Sequence, residues 1–268
     1  DEDPLKAIRA KKESSIIGCM QLLKEKKVEA VFSAGSTGAT LISAITILGK
    51  QKGVIRPAIA SVLPTINGSV ILLDSGASLD VKPKVLYQFA VMGSKLAEVL
   101  LDIDAPRVGL LNNGEEESKG RDLEKSAYKL LSSSNLNFIG NVEGRDFANE
   151  KVDVFVTDGF TGNVVLKTLE GTARLQQKLI SDSLNRNLLK PLLPIVKNAF
   201  KPVKDKLNPD KTNASYLLGV DGLVTIGHGS SKQEAIKNGI KYTSSSIQKD
   251  FIGKFSETLK ELWITFLI

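Results

Sequence analysis

The sequence predicts an α/β fold built on a mainly parallel sheet covered on both faces. Three observations carry this. Short runs such as Val28–Ala34, Val70–Asp74 and Val152–Asp158 are apolar nearly throughout, as strands buried on both faces must be. Stretches of helical period separate them, which is the βαβ alternation of a parallel sheet. Several strand-like runs also end in Gly, Ser, Thr or Asn, the residues a tight strand-to-helix turn tolerates.

Taken in order, Pro4–Lys27 has helical spacing, with Leu5, Ile8, Ile16, Cys19 and Leu22–Leu23 marking its inward face. Pro4 suits the first turn, and the acidic residues before it suit the positive end of the helix dipole. A strand is expected at Val28–Ala34 and a helix at Thr37–Lys50. Strands follow at Ala58–Leu63 and Val70–Asp74, then a helix at Lys84–Leu101. Next come a strand at Val108–Asn112, a helix at Gly120–Leu131, a short strand at Asn137–Ile139 and a strong one at Val152–Asp158. A long helix starts at Thr161, a last strand falls at Leu223–Ile226, and helices run on from Ser231. No repeat or linker divides the chain, so residues 1–268 are expected to form one domain with a helical-hairpin excursion at about 165–212. The opening Asp1-Glu2-Asp3-Pro4 lacks an initiator methionine, which reads as a fragment or a processed chain.

Composition narrows the chemistry. With 268 residues, 42% apolar and 25% charged, the chain has the makings of an ordinary globular enzyme. The one cysteine, Cys19, excludes an internal disulfide and fits a reducing cytoplasm. The one histidine, His228, excludes a His₃ or Cys/His metal site within the chain; neither metal nor cofactor is expected. A net charge of +6 favours an acidic partner or surface. The lysines are scattered, without the basic stripe that groove binding needs, so nucleic acid is not the expected partner. No apolar run is long enough to span a bilayer.

The candidate chemistry lies at four strand ends. These are Ser33-Ala34-Gly35-Ser36-Thr37-Gly38, Asp74-Ser75-Gly76-Ala77-Ser78, Asn112-Asn113-Gly114-Glu115 and Asp158-Gly159-Phe160-Thr161-Gly162-Asn163. Ligands of open α/β sheets bind at carboxyl ends of strands. The first and last of these loops run into helices, whose free N–H groups beside hydroxyls suit an anion. The loops match neither a Walker A sequence nor GxGxxG, and tight βα turns without a ligand remain the alternative. Ser33, Gly35, Ser36, Thr37, Gly38, Asp74, Asn112, Asp158, Gly159, Thr161 and Gly162 are the candidate phosphate or substrate contacts. Asn163, with Lys167 one helical turn further on and His228 between two glycines, forms the candidate catalytic set; a solvated lysine and a structural histidine are the competing readings. Leu188, Leu189, Leu192 and Leu193 lie in a basic amphipathic stretch, 184–207, that also holds Lys190, Lys197, Lys201, Lys204 and Lys206. Such a stretch reads as a membrane-surface or partner-binding element, or as a subunit-interface or core helix. Pro191 and Pro194 place a break at its tip.

On these residues the chain resembles a known family. Pro4 to Lys12, Ser33 to Gly38, Leu72 to Ala77, Gly109 to Asn112 with Gly114 to Glu116, Phe138 to Asp146, Thr157 to Gly171 and Ile226 to Ser231 stand in the order found in the PlsX family. These are acyl-acyl-carrier-protein:phosphate acyltransferases of bacterial phospholipid synthesis. The likeness spans about residues 3–243, and the Thr157–Gly171 run is its most specific part. It implies a Rossmann-like α/β/α sandwich, a homodimer, and peripheral association with the inner face of the cell membrane. The reaction it implies is transfer of a long-chain acyl group from acyl carrier protein to inorganic phosphate, and the acidic carrier protein agrees with the positive charge. The family's N-terminal strand, with its Asp-Ala-Met-Gly-Gly-Asp motif, has no counterpart here. Ser36 and Ser78 stand where asparagine is usual, and Asn213-Ala214-Ser215-Tyr216 replaces a glycine-rich stretch. A short-chain transferase using coenzyme A and a non-catalytic docking module are the alternatives.

Overall fold

A computed structural model describes residues 4–184, 198–199, 201–203, 214–229 and 231–258. The expected first helix is two: α1 (Pro4–Ala10) and α2 (Ser15–Lys24). The polar Lys11-Lys12-Glu13-Ser14 run offers no apolar residue to the inward face, and the chain extends at Ser14 (φ −64°, ψ 147°). Then follow β1 (Ala30–Ser33), α3 (Thr37–Ile47), β2 (Ala58–Pro64), β3 (Ser69–Leu73) and α4 (Pro83–Leu101). After them come β4 (Val108–Leu111), α5 (Asp122–Ser132), β5 (Phe138–Val142), a 3₁₀ turn (Gly144–Ala148), β6 (Val154–Val156) and α6 (Gly159–Leu184). The chain resumes with β7 (Ser215–Leu218), β8 (Leu223–Ile226) and α7 (Gln233–Gln248), followed by helical residues 251–258. The strand at β7 was not foreseen; it is four residues long and stands beside the stretch expected to form the excursion.

The eight strands form one sheet in the order β1-β8-β7-β2-β3-β6-β4-β5. Four neighbouring pairs are parallel and three, all involving β2 or β7, are antiparallel. The sheet is therefore two parallel blocks, β1–β8 and β3–β6–β4–β5, running in opposite directions on either side of β7 and β2. The register makes this concrete. Ser33 lies level with Ile226 and Ser215, whereas Asp74 follows Leu73, which pairs with Ala60. Phe32 is level with Leu73 through Thr225, Tyr216 and Ala60, so the strand ends at Ser33 and Asp74 come from opposite directions to the middle of β2, a geometry that four like-looking strand-end loops do not announce.

Helices cover both faces. On one, α4, α5 and residues 251–258 pack against Ala58, Ala60, Ile71, Leu73, Leu110 and Val156 in the largest core cluster, with Phe89 and Leu96 fully buried. On the other face the core is split. Met20, Leu23 and Ala44 of α2 and α3 pack on Val31, Ile59, Leu217 and Val224. Separately, Val165, Leu166 and Leu169 of α6 pack on Leu63, Leu72, Phe147 and Phe155. Between these two clusters the middle of β2 is left without a helix over it.

Candidate functional site

That uncovered strip is the floor of a cleft of about 1190 Å³. Residues alternate sides along a strand, so Ile59, Ser61 and Leu63 of β2 turn towards it while Ala58 and Ala60 enter the opposite core. The start of α3 (Thr37, Gly38, Leu41) forms one wall and α6 (Asn163, Leu166, Lys167, Glu170) the other. Strand β3 ends at Leu73, opposite Ala60 in the middle of β2. The Ser75 N–H donates to the Ile59 carbonyl at 2.9 Å, which keeps Ser75 and Gly76 against the floor.

The cleft brings together Thr37, Gly38, Asn163, Lys167 and His228 from the expected set. Ser36 caps α3, its Oγ accepting from Ala39 N at 3.3 Å, and a helix's first N–H groups have no acceptor within the helix. Gly76, at φ +140°, lies flat against Asn163: a β-carbon there would stand 3.6 Å from Asn163 Cβ, Cγ and Oδ1. Lys167 Nζ meets Glu170 at 3.0 Å, so its charge arrives partly balanced. Among the described lining residues, Arg145, Lys167, Arg174 and Lys232 outnumber the one carboxylate, Glu170; Arg145 is paired with Glu143 and Lys167 with Glu170. The excess of cations suits an anion.

The remaining candidates build the frame behind this surface. Ser33 Oγ is engaged by Thr40 Oγ1 at 3.0 Å and by Gly35 N at 3.3 Å. Asn112 closes its own loop, its amide donating to the Lys119 carbonyl at 3.2 Å. Asp74 is fully buried and accepts from the N–H groups of Ile59, Gly76, Ala77 and Ser78 at 2.7–3.0 Å. Burial pushes its carboxyl up despite those four donors. Asp158 accepts from Thr161 N at 2.8 Å and Thr161 Oγ1 at 2.9 Å, and pairs with Arg121. Burial works against the charge there too, but Thr161 and the guanidinium prevail and hold Asp158 below the ordinary carboxylate range. Gly159 N donates to the Ser78 carbonyl at 2.8 Å. Gly162 lies so close to the same loop that a β-carbon would stand 1.9 Å from the Asp74 carbonyl oxygen. These residues lock the start of α6 onto the loop after β3 and thereby aim Asn163. Leu188, Leu189, Leu192 and Leu193 lie outside the described residues.

Ser61 and Ser215 of the floor were not anticipated, nor were Arg145, Arg174 and Lys232 of the rim, whereas Ser75 lay in the candidate loop Asp74–Ser78. Gly144-Arg145-Asp146 lay within the resembling runs, so its position carried a signal. Ser61 and Ser215 carried none, because only the pairing of β2 with β7 brings them together. Leu41, Leu63, Phe147, Leu166 and Leu169 add an apolar stretch to the lining. The site therefore offers donors and positive charge beside a greasy wall, which suits an anion and an apolar chain together.

The α/β fold is similar to that of solved phosphotransacylases. Against a solved phosphotransacetylase from Streptococcus pyogenes the TM-score is 0.58 at 18% identity, covering 87% of this chain and 67% of that one. Against a branched-chain phosphotransacylase from Enterococcus faecalis it is 0.53 at 11% identity, covering 87% and 78%. At sequence level, the family model described as "Fatty acid synthesis protein" matches residues 1–254, and the chain belongs to that family. A phosphate acyltransferase of Thermoanaerobacterium thermosaccharolyticum is 44% identical over 261 residues, which are 97% of this chain and 78% of the relative. One of Acidobacterium capsulatum is 47% identical over 242 residues, 90% and 72% of the two chains. The chain is an acyltransferase.

Proposed function

We propose that the chain transfers a long-chain fatty acyl group from acyl carrier protein to inorganic phosphate, forming an acyl phosphate for phospholipid synthesis. The observation that carries this is one cleft that sets Arg145, Lys167, Arg174 and Lys232 beside an apolar wall of Leu41, Leu63, Phe147, Leu166 and Leu169. Its volume of about 1190 Å³ exceeds the roughly 300–1,000 Å³ usual for small-molecule sites.

A phosphate oxygen attacks the thioester carbonyl, the carbon–sulfur bond breaks, and the phosphate proton ends on the departing thiol. Phosphate is itself the nucleophile, so the protein's work is positioning and charge stabilisation. In this reading the first turn of α3 and the cations hold phosphate, and the Asn163 amide faces the developing oxyanion. Lys167 supplies charge and His228 carries a proton or donates a hydrogen bond. The chain acts as one α/β domain and as a homodimer. Leu188, Leu189, Leu192 and Leu193 touch the inner face of the cell membrane, and no cofactor takes part. Among the described residues no helix is long and apolar enough to cross a membrane.

The test is incubation with phosphate and either palmitoyl-carrier protein or acetyl-coenzyme A, with acyl phosphate measured. Product from the carrier thioester supports the reading. Product from acetyl-coenzyme A alone points to a short-chain enzyme, and no product from either points to a docking module. Asn163→Ala and Lys167→Ala should each lower turnover by about 10²-fold or more, the scale of a lost oxyanion donor. Unchanged turnover in folded variants removes these residues from the mechanism.

A further inference from the structure

Three hydroxyls form an unbroken chain along the cleft floor. Ser61 Oγ lies 2.8 Å from Ser75 Oγ and 2.9 Å from Ser215 Oγ, and the Ser75 hydroxyl donates to the Ile59 carbonyl at 2.9 Å. A serine hydroxyl has one proton to give, and a carbonyl can only accept. The Ile59 carbonyl accepts both the Ser75 N–H and the Ser75 hydroxyl at 2.9 Å, and with the hydroxyl proton directed there the chain is satisfied when Ser61 donates to Ser75 and Ser215 donates to Ser61. In that arrangement all three protons run inward along the chain. Ser61 and Ser75 are buried, whereas Ser215 is half-buried. The end open to the cleft is thus a Ser215 oxygen that has spent its proton and can only accept.

The neighbourhood of that oxygen is rich in donors. Ser215 pairs with Ile226 across β7 and β8, next to Gly227 and His228. It shares the cleft with Lys232, Thr37 and Gly38. Glu170, the lining carboxylate, is occupied by Lys167. Donors alone cannot tell phosphate from sulfate, since both are tetrahedral oxyanions of nearly equal size. They differ in protonation: near neutral pH phosphate keeps at least one P–OH, and sulfate keeps none. A P–OH that meets only donors goes unsatisfied, while one that meets an acceptor gains a hydrogen bond.

We propose that the Ser215–Ser61–Ser75 chain, oriented by the Ile59 carbonyl, is the acceptor for the P–OH of hydrogen phosphate and makes the cleft select phosphate over sulfate. This rests on the reading of phosphate as substrate, and it assigns to three serines the discrimination between that substrate and its commonest mimic.

The experiment is titration calorimetry of inorganic phosphate and of sulfate into the full chain and its variants, alongside acyl phosphate formation. The unaltered chain should bind phosphate more tightly than sulfate. Ser215→Ala should weaken phosphate about tenfold and leave sulfate within about twofold, the scale of one net hydrogen bond. Ser215→Thr, which keeps the hydroxyl, should retain the preference. Ser61→Ala frees the Ser215 proton to point into the cleft, so sulfate should then bind several-fold more tightly, about what one added donor contributes. Equal weakening of both anions in Ser215→Ala would overturn the proposal, as would a preference that Glu170→Gln abolishes and Ser215→Ala does not. If phosphate selectivity behaves as stated but no acyl phosphate forms, the enzymatic reading has failed and the acceptor chain stands. If acyl phosphate forms and the ratio is unmoved, the acceptor chain alone has failed.

Discussion

Asp74 and Asp158 sit at neighbouring strand ends, both almost wholly buried, yet they titrate in opposite directions. Asp74 is surrounded by backbone N–H groups and has no cation among its hydrogen-bond partners; burial dominates and its carboxyl is raised. Asp158 faces the same burial, but Thr161 and the Arg121 guanidinium outweigh it, and its carboxyl is lowered. A lowered carboxyl means that the folded state favours the charged form more than the unfolded state does. Its contribution is therefore complete above the ordinary aspartate range and disappears as pH falls through the folded value. Asp158→Asn should cost about 1–3 kcal/mol at pH 7, the worth of hydrogen bonds to a charged group. Urea unfolding of the two proteins should converge below about pH 4, where an unfolded aspartate takes up its proton. A gap that persists undiminished into acid would show that packing, not charge, accounts for the loss.

At the scale of elements, α6 lines more of the cleft than any other described element, and two of its glycines answer to different forces. Gly162 abuts the Asp74 carbonyl, where a β-carbon would stand 1.9 Å away, and backbone cannot swing aside as a side chain does. Gly171 has open space around it. Gly162→Ala should destabilise by about 1–3 kcal/mol or more through overpacking, a fall in Tm of about 2–4 °C for each kcal/mol. It should also lower turnover, because Asn163 is the next residue. Gly171→Ala should raise stability by about 0.4–1 kcal/mol by restricting the unfolded chain. Differential scanning calorimetry of both separates the two effects, and a stable Gly162→Ala would mean the joint is looser than its geometry. The helix itself was legible in sequence because Val164–Leu169 and its flanking loop have a strong period and a specific run. Its lock was not, since Asp158, Thr161 and Gly162 look like phosphate-loop residues wherever Gly, Ser, Thr and Asp follow a strand. The same composition serves a loop that binds an anion and a loop that binds another loop. Ser215–Leu218 was missed for a related reason: four residues give no period, and their strand character comes from β2 and β8 on either side.

For the whole molecule, alternating apolar runs foretold a layered α/β fold but not the reversal of direction at β2 and β7. Direction is set by which strands pair, and pairing over 150 residues, as Ser61 with Ser215, leaves no local mark. The reversal brings the two blocks' loops onto one face, with β2 as a shared floor between them. Charge and apolar surface of the full chain bear on where that cleft operates. The chain carries +6 overall, and residues 184–207 combine five lysines with Leu188, Leu189, Leu192 and Leu193. Two forces act on such a stretch at an anionic bilayer: each lysine near the surface contributes about 1 kcal/mol, and buried leucines add an apolar term that salt does not screen. Flotation with anionic phosphatidylglycerol vesicles should therefore fall with rising salt but not vanish for the unaltered chain. Leu192→Glu with Leu193→Glu should remove the salt-resistant part, leaving only weak binding at low salt. Undiminished flotation of that variant at high salt would assign membrane contact to some other surface. Flotation of neither protein would confine the transfer to carrier protein and phosphate in solution.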